Sequence, residues 1–148
     1  MKETIDKCID EYKDYIESNS IYGTRVVKNI TYKSTYFPLI TCEISNNTST
    51  NEETIEGIEK YEAFYLTINI YAKNQTQGAN IKVAAQVIID ELVELTDNFF
   101  NKIKRMRKTE NRPFPDIDKD ILRQVMAYQC LVGNIRGNII RRWKYESI

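Results

Sequence analysis

The sequence predicts an α+β domain: a small, mostly antiparallel β-sheet with one long helix packed on a face and an N-terminal helix. Three observations carry this. Residues 37–47 and 61–72 alternate apolar and polar side chains, as a strand with one buried face requires. Residues 79–104 instead repeat apolar side chains at helical spacing. Residues 3–18 do the same on a narrower stripe.

The N-terminal helix comes first. Ile5, Cys8, Ile9, Tyr12, Tyr15 and Ile16 share one stripe, with Lys, Asp and Glu elsewhere, so the helix covers one sheet face or one edge. Ser18-Asn19-Ser20 breaks it and Gly23 lies in the turn. Residues 24–33 are β-prone but alternate poorly, which suits a short or edge strand. Pro38 has no N–H and belongs at the start of the next strand. In that strand Ile40, Cys42 and Ile44 oppose Thr41, Glu43 and Ser45. The polar run 46–59 is too long for a tight hairpin turn and reads as surface or as a binding loop. Beyond it, Phe64, Leu66, Ile68 and Ile70 oppose Tyr65, Thr67 and Asn69.

The helix expected over 79–104 places Ile81, Ala84, Ala85, Ile88, Leu92, Leu95, Phe99 and Ile103 on its stripe. Ile89, Val93 and Phe100 sit beside it. They read either as a broader core contact or as a subunit interface, since one helix on one sheet face needs a single stripe. Lys102, Lys104, Arg105, Arg107 and Lys108 end the helix, where cations complement the macrodipole. Nucleic-acid binding is the alternative for these five, but aromatic interleaving is lacking there. Pro113 and Pro115 make 112–116 an extended loop. Asp116, Asp118 and Asp120 do not make a calcium loop: Ile121 stands where a Gly is needed and Ala127 where a Glu is needed. They read as a solvated turn.

Residues 121–132 read as a strand, with a helix as the competing reading. Leu122, Met126, Tyr128, Cys130 and Val132 face one way, Arg123 and Gln129 the other. Gly133, Asn134, Gly137 and Asn138 then loosen the chain. The expected organisation is a single α+β domain over 1–133 and a basic, aromatic tail over 134–148. That tail, with Arg141, Arg142 and Trp143, packs on its own domain or on a neighbouring subunit.

Composition narrows the chemistry. At 148 residues, 42% hydrophobic and 28% charged, the chain suits one soluble globular domain. No apolar run approaches the roughly 20 residues needed to span a bilayer. The first turns mix acids and bases, unlike a signal peptide, so a cytosolic origin is expected. The three cysteines are widely spaced and lie on apolar faces, as buried reduced thiols do. Histidine is absent, which removes Ser–His and Cys–His nucleophiles and most zinc sites. No Gly-rich phosphate loop is present. Catalytic, cofactor-binding and metal-binding residues are therefore expected to be none, and the protein is not expected to be an enzyme. Charge is divided along the chain: residues 1–100 carry 9 bases and 16 acids, residues 101–148 carry 12 bases and 5 acids. Opposed charge on two regions suits head-to-tail contacts.

The strand opened by Phe37-Pro38-Leu39-Ile40 and closed by Glu43-Ile44-Ser45-Asn46-Asn47, the variable loop, the strand holding Ile68-Asn69-Ile70-Tyr71-Ala72 and the long amphipathic helix resemble small tail-terminator and neck proteins of long-tailed bacteriophages. The resemblance covers roughly residues 1–133. It implies a structural protein that forms a ring, commonly a hexamer, on the finished tail tube. Implied partners are copies of itself, the tail-tube protein, a neck or head-completion protein and, in a contractile tail, the sheath. DNA only passes through the lumen, and no membrane is involved. The protein would occupy the host cytoplasm during assembly and then the virion or phage-like particle. Asn47, Thr48, Glu52 and Glu53 on the hairpin loop are the implied contacts, joined by the helix and tail candidates above. A neck or head–tail connector is the alternative. A small binding domain for a ligand or nucleic acid is a further one.

Overall fold

The computed structural model describes residues 2–28, 36–50, 59–77, 79–103, 106–114, 120–135 and 138–139. Helix α1 (Lys2–Asn19) leads to strands β1 (Arg25–Lys28), β2 (Leu39–Thr50) and β3 (Glu59–Ala72). A small hairpin of β4 (Gln75–Gln77) and β5 (Ile81–Val83) precedes helix α2 (Ala85–Phe100). Strands β6 (Met106–Phe114), β7 (Leu122–Ile135) and β8 (Asn138–Ile139) complete the chain. The main sheet runs β1-β2-β3-β7-β6, with β8 on β7. β1 lies parallel to β2 and the other pairings are antiparallel, so the architecture is α+β on a mixed sheet.

Both helices contribute to one core. Ile40 and Cys42 of β2, Phe64, Leu66, Ile68 and Ile70 of β3, and Met126, Tyr128 and Cys130 of β7 form its sheet wall. Ile9, Tyr12 and Ile16 of α1 and Ile88, Leu92 and Phe100 of α2 close it. The layers meet in an aromatic wedge. Phe100 lies 4.9 Å from Tyr12 and 4.6 Å from Tyr128, ring centre to ring centre. Each tyrosine hydroxyl is satisfied as burial demands: Tyr12 bonds Thr96 Oγ1 at 2.8 Å, and Tyr128 donates to Asp97 Oδ1 at 2.8 Å. Lys108 of β6 pairs with the same Asp97 at 3.1 Å.

Three expectations are corrected. The helix expected from residue 79 begins at Ala85. Asn80, at φ 64°, supplies turn chemistry instead, and the chain folds back as β4–β5. Ile81, expected on the buried stripe, is 63% exposed. Asn74 Oδ1 accepts the Ala85 N–H at 2.8 Å, so a residue outside the helix caps its first turn. The helix also ends before the cations. Asn101 closes it, and Arg107 and Lys108 lie in β6.

The loop expected over 112–116 is strand through Phe114, the end of β6. Pro113 is tolerated there because β6 is an edge. Residues 46–50 and 59 belong to β2 and β3, so the polar run is shorter as a loop than its composition suggests. Residues 51–58 fall outside the described set. β7 passes through Gly133 to Ile135 while paired with β3, so the sheet has no break at that glycine.

Truncating the wedge should be costly. Phe100→Ala is expected to lose about 3–5 kcal/mol in urea unfolding. Val87→Ala, at a side chain 51% exposed, should stay within about 0.5 kcal/mol of the parent.

Candidate assembly surface

The sheet face opposite the helices is crossed by rows of cross-strand partners. One row runs Leu39, Tyr71, Arg123, Phe114, and the next Thr41, Asn69, Val125, Arg112. Arg123 organises both. Its Nη2 and Nε donate to Asn69 Oδ1 at 2.8 and 3.1 Å. Its guanidinium lies 4.6 Å from the Phe114 ring and 5.5 Å from Tyr71. Arg112 sits 4.1 Å over Phe114 and pairs with Glu110. Planar guanidinium groups stack on rings while keeping their edges for carboxylates. Leu39, Tyr71 and Ile121 form a second small apolar cluster on this face.

The same end of the sheet collects the starts of β1, β2 and β7 and the ends of β3 and β6. Two more cations sit on rings there: Arg25 is 4.5 Å from Tyr36, and Lys73 is 4.9 Å from Phe37. Gln75 binds the carbonyls of Tyr22 and Phe37 at 3.4 and 3.3 Å, tying the β4–β5 hairpin to this end.

The opposite end is built differently. β3 and β7 have 14 residues each and pair along their whole length. At ~3.3 Å per residue such a strand is about 46 Å long. α2 has 16 residues, or about 24 Å at 1.5 Å per residue. The ribbon of β2, β3 and β7 therefore outruns α2 by ~20 Å. Within it, Asn46 pairs with Phe64 and Ser49 with Glu62. Asn47 and Thr48 thus stand opposite the single residue Ala63, a bulge of the kind that bends a ribbon.

The expected contact residues are distributed unevenly over this architecture. Asn47 and Thr48 are the two bulged residues. Glu52, Glu53, Arg141, Arg142 and Trp143 lie outside the described residues. Ile89 and Phe100 are 2% and 0% exposed, and Val93 packs against the same core. These three serve the broader core contact, because α2 packs against α1 as well as the sheet. Sequence reading missed the Arg123–Phe114 stack. Arg123 was legible as outward-facing, but Phe114 was not legible as its strand partner.

Chemistry is sparse. Cys8, Cys42 and Cys130 are free, buried thiols. Burial, with a smaller contribution from neighbouring Cys8, pushes Cys42 and Cys130 up to about 12. A cavity of about 210 Å³ between the helices is lined by Cys8, Tyr15, Phe99 and Ile103, with Glu11, Asn98 and Lys102 completing it. Among the described residues no cluster of His, Cys, Asp or Glu is arranged to hold a metal ion, and no helix is long and apolar enough to cross a membrane. No protein-family model matches the sequence, and no match to a curated protein is found.

The thiols should be inert in the folded protein. A thiol reagent at pH 8 is expected to label none of the three until urea is added. The raised thiols also set a pH dependence. Below about pH 9 they are neutral whether the chain is folded or not. Above it the unfolded chain ionises first, so stability should fall as pH rises towards 12. Cys42→Ala should flatten that fall relative to its own value at pH 7, as read by unfolding at each pH.

Proposed function

We propose that this chain is a structural assembly protein: a ring-forming phage tail terminator that caps the tail tube and joins it to the neck or head. The observation that carries the reading is the strand ribbon reaching about 20 Å past α2. Paired strands that run on past the end of α2 are suited to gripping a neighbour. Residues 52–62 carry five acids and one base, so the segment closing the β2–β3 hairpin is strongly acidic.

The sheet edges point the same way. β1 has four residues, and β6 carries Pro113 with Arg107, Lys108 and Arg112. Such edges resist addition of another strand. Association then proceeds through side-chain surfaces, which fix an angle between subunits and allow a ring to close. The mechanism is steric: the ring docks on the last ring of tail-tube protein, completes its open contacts and stops further addition. The opposite face of the ring receives the neck. The sequence resemblance of the two alternating strands is what favours a tail terminator over another assembly protein.

Mass in solution tests this directly. Light scattering over a wide concentration range, with and without purified tail tubes, is expected to give a closed ring of about six subunits. Replacing residues 51–58 by a short Gly-Ser turn should abolish the ring while leaving the circular dichroism spectrum unchanged. A parent protein that stays monomeric in both conditions and binds no tube would sink the proposal.

A further inference from the structure

The cavity between the helices has no part in the assembly reading. Its volume is about 210 Å³, and it opens where α1 passes the last turn of α2. Within its lining Cys8 and Ile103 are buried, Tyr15 and Phe99 half-buried, and Asn98 and Lys102 exposed. The depth is therefore apolar and the mouth polar, the build of a small-molecule site.

Size limits the occupant. An apolar cavity of about 150 Å³ holds one benzene ring, so about 210 Å³ admits one ring with a short substituent. The walls favour a ring over an alkyl chain. Tyr15 and Phe99 lie 5.5 Å apart, ring centre to ring centre, at 45°. Rings gain from tilted contact with other rings and from nearby sulfur, which Cys8 supplies.

Charge at the mouth selects the substituent. The cations expected to complement the α2 dipole are otherwise employed in β6: Lys108 pairs with Asp97, and Arg107 Nη2 donates to Gln129 at 2.8 Å. Lys102 differs from both. It lines the cavity, is exposed, and forms no ion pair among the described residues. Glu11, the acid of the same lining, is not free. An uncommitted ammonium at the mouth of an apolar site suits a carboxylate, through a charge-assisted hydrogen bond.

We propose that this cavity binds a small aryl carboxylate of one ring. The ring lies against Tyr15, Phe99 and Cys8, and the carboxylate accepts from Lys102 Nζ. A ligand held there touches both helices, so it ties α1 to the end of α2 and stabilises the folded chain by mass action. The site does not depend on ring formation, and its test reads the same on a monomer or an assembly.

Fluorine NMR with 4-fluorophenylacetate, titrated into the full chain, tests it. A saturable shift is expected, with a matching rise in melting temperature. Lys102→Gln, at an exposed position, should weaken this binding about 10-fold, while the neutral 4-fluorobenzyl alcohol keeps its parent affinity within about twofold. Cys8→Leu adds bulk to the buried wall and should abolish binding of both probes. Asn98→Trp, at the exposed mouth, should do the same without touching the core. No saturable shift at up to about 10 mM probe overturns the inference. So does equal weakening of acid and alcohol by Lys102→Gln, or tighter binding of 4-fluorobenzylamine than of the acid. Binding that survives both Cys8→Leu and Asn98→Trp would put the probe elsewhere and overturn it too.

Discussion

The aromatic wedge of Tyr12, Phe100 and Tyr128 is the interaction on which the rest depends. It brings one ring from each helix and one from the sheet into a single stack. Its two hydroxyls end on Thr96 and Asp97, neighbours on α2, so the helix is fixed in rotation as well as in depth. With α2 fixed, its first turn is presented beside β4–β5, and its last turn lies over Tyr128. The stretch of β3 before Leu66 lies past the point where this helix is pinned.

Much of this was legible in the residues, and the illegible parts share a cause. β2 and β3 alternate cleanly because only one face meets the helices. α1 shows its stripe for the same reason. β6 has no such signal: most of its side chains are exposed, and its Pro113 speaks for a loop. Only its position on the edge of a sheet already built by β7 makes it a strand. The start of α2 was obscured by coincidence. Ile81 and Ala84 continue the helical spacing, yet Asn74, ten positions before Ala84, caps the helix one residue later. Of the candidate contacts, the helical trio takes the first of its two readings, the broader core contact, because α1 is a second wall for α2. The hairpin pair Asn47 and Thr48 emerged at a bulge, a feature visible only once two strands are in register.

Charge is partitioned by layer more sharply than by sequence half. α1 and α2 together carry ten acids and three bases. The neutral chain therefore keeps its surplus of bases off the helices, on the strands and the segments that join them. The partition leaves an acidic helical layer and a more basic set of strands and joining segments on one neutral molecule. The buried thiols add nothing reactive to this surface.

β7 is an inner strand of the sheet but comes last among the long strands. Tyr65 and Gln129, which bond across the β3–β7 pairing, stand 64 positions apart. On a ribosome, α1, the β2–β3 hairpin and α2 all emerge before β3 has its second neighbour. Such non-local pairing is slow to form, because the loop entropy is lost before the contacts reward it. Until the final strand arrives, β3 is a long open edge and Phe100 has no Tyr128 to close on. Closure of the core thus waits for the last of the long strands, and no earlier part of this domain can complete it alone.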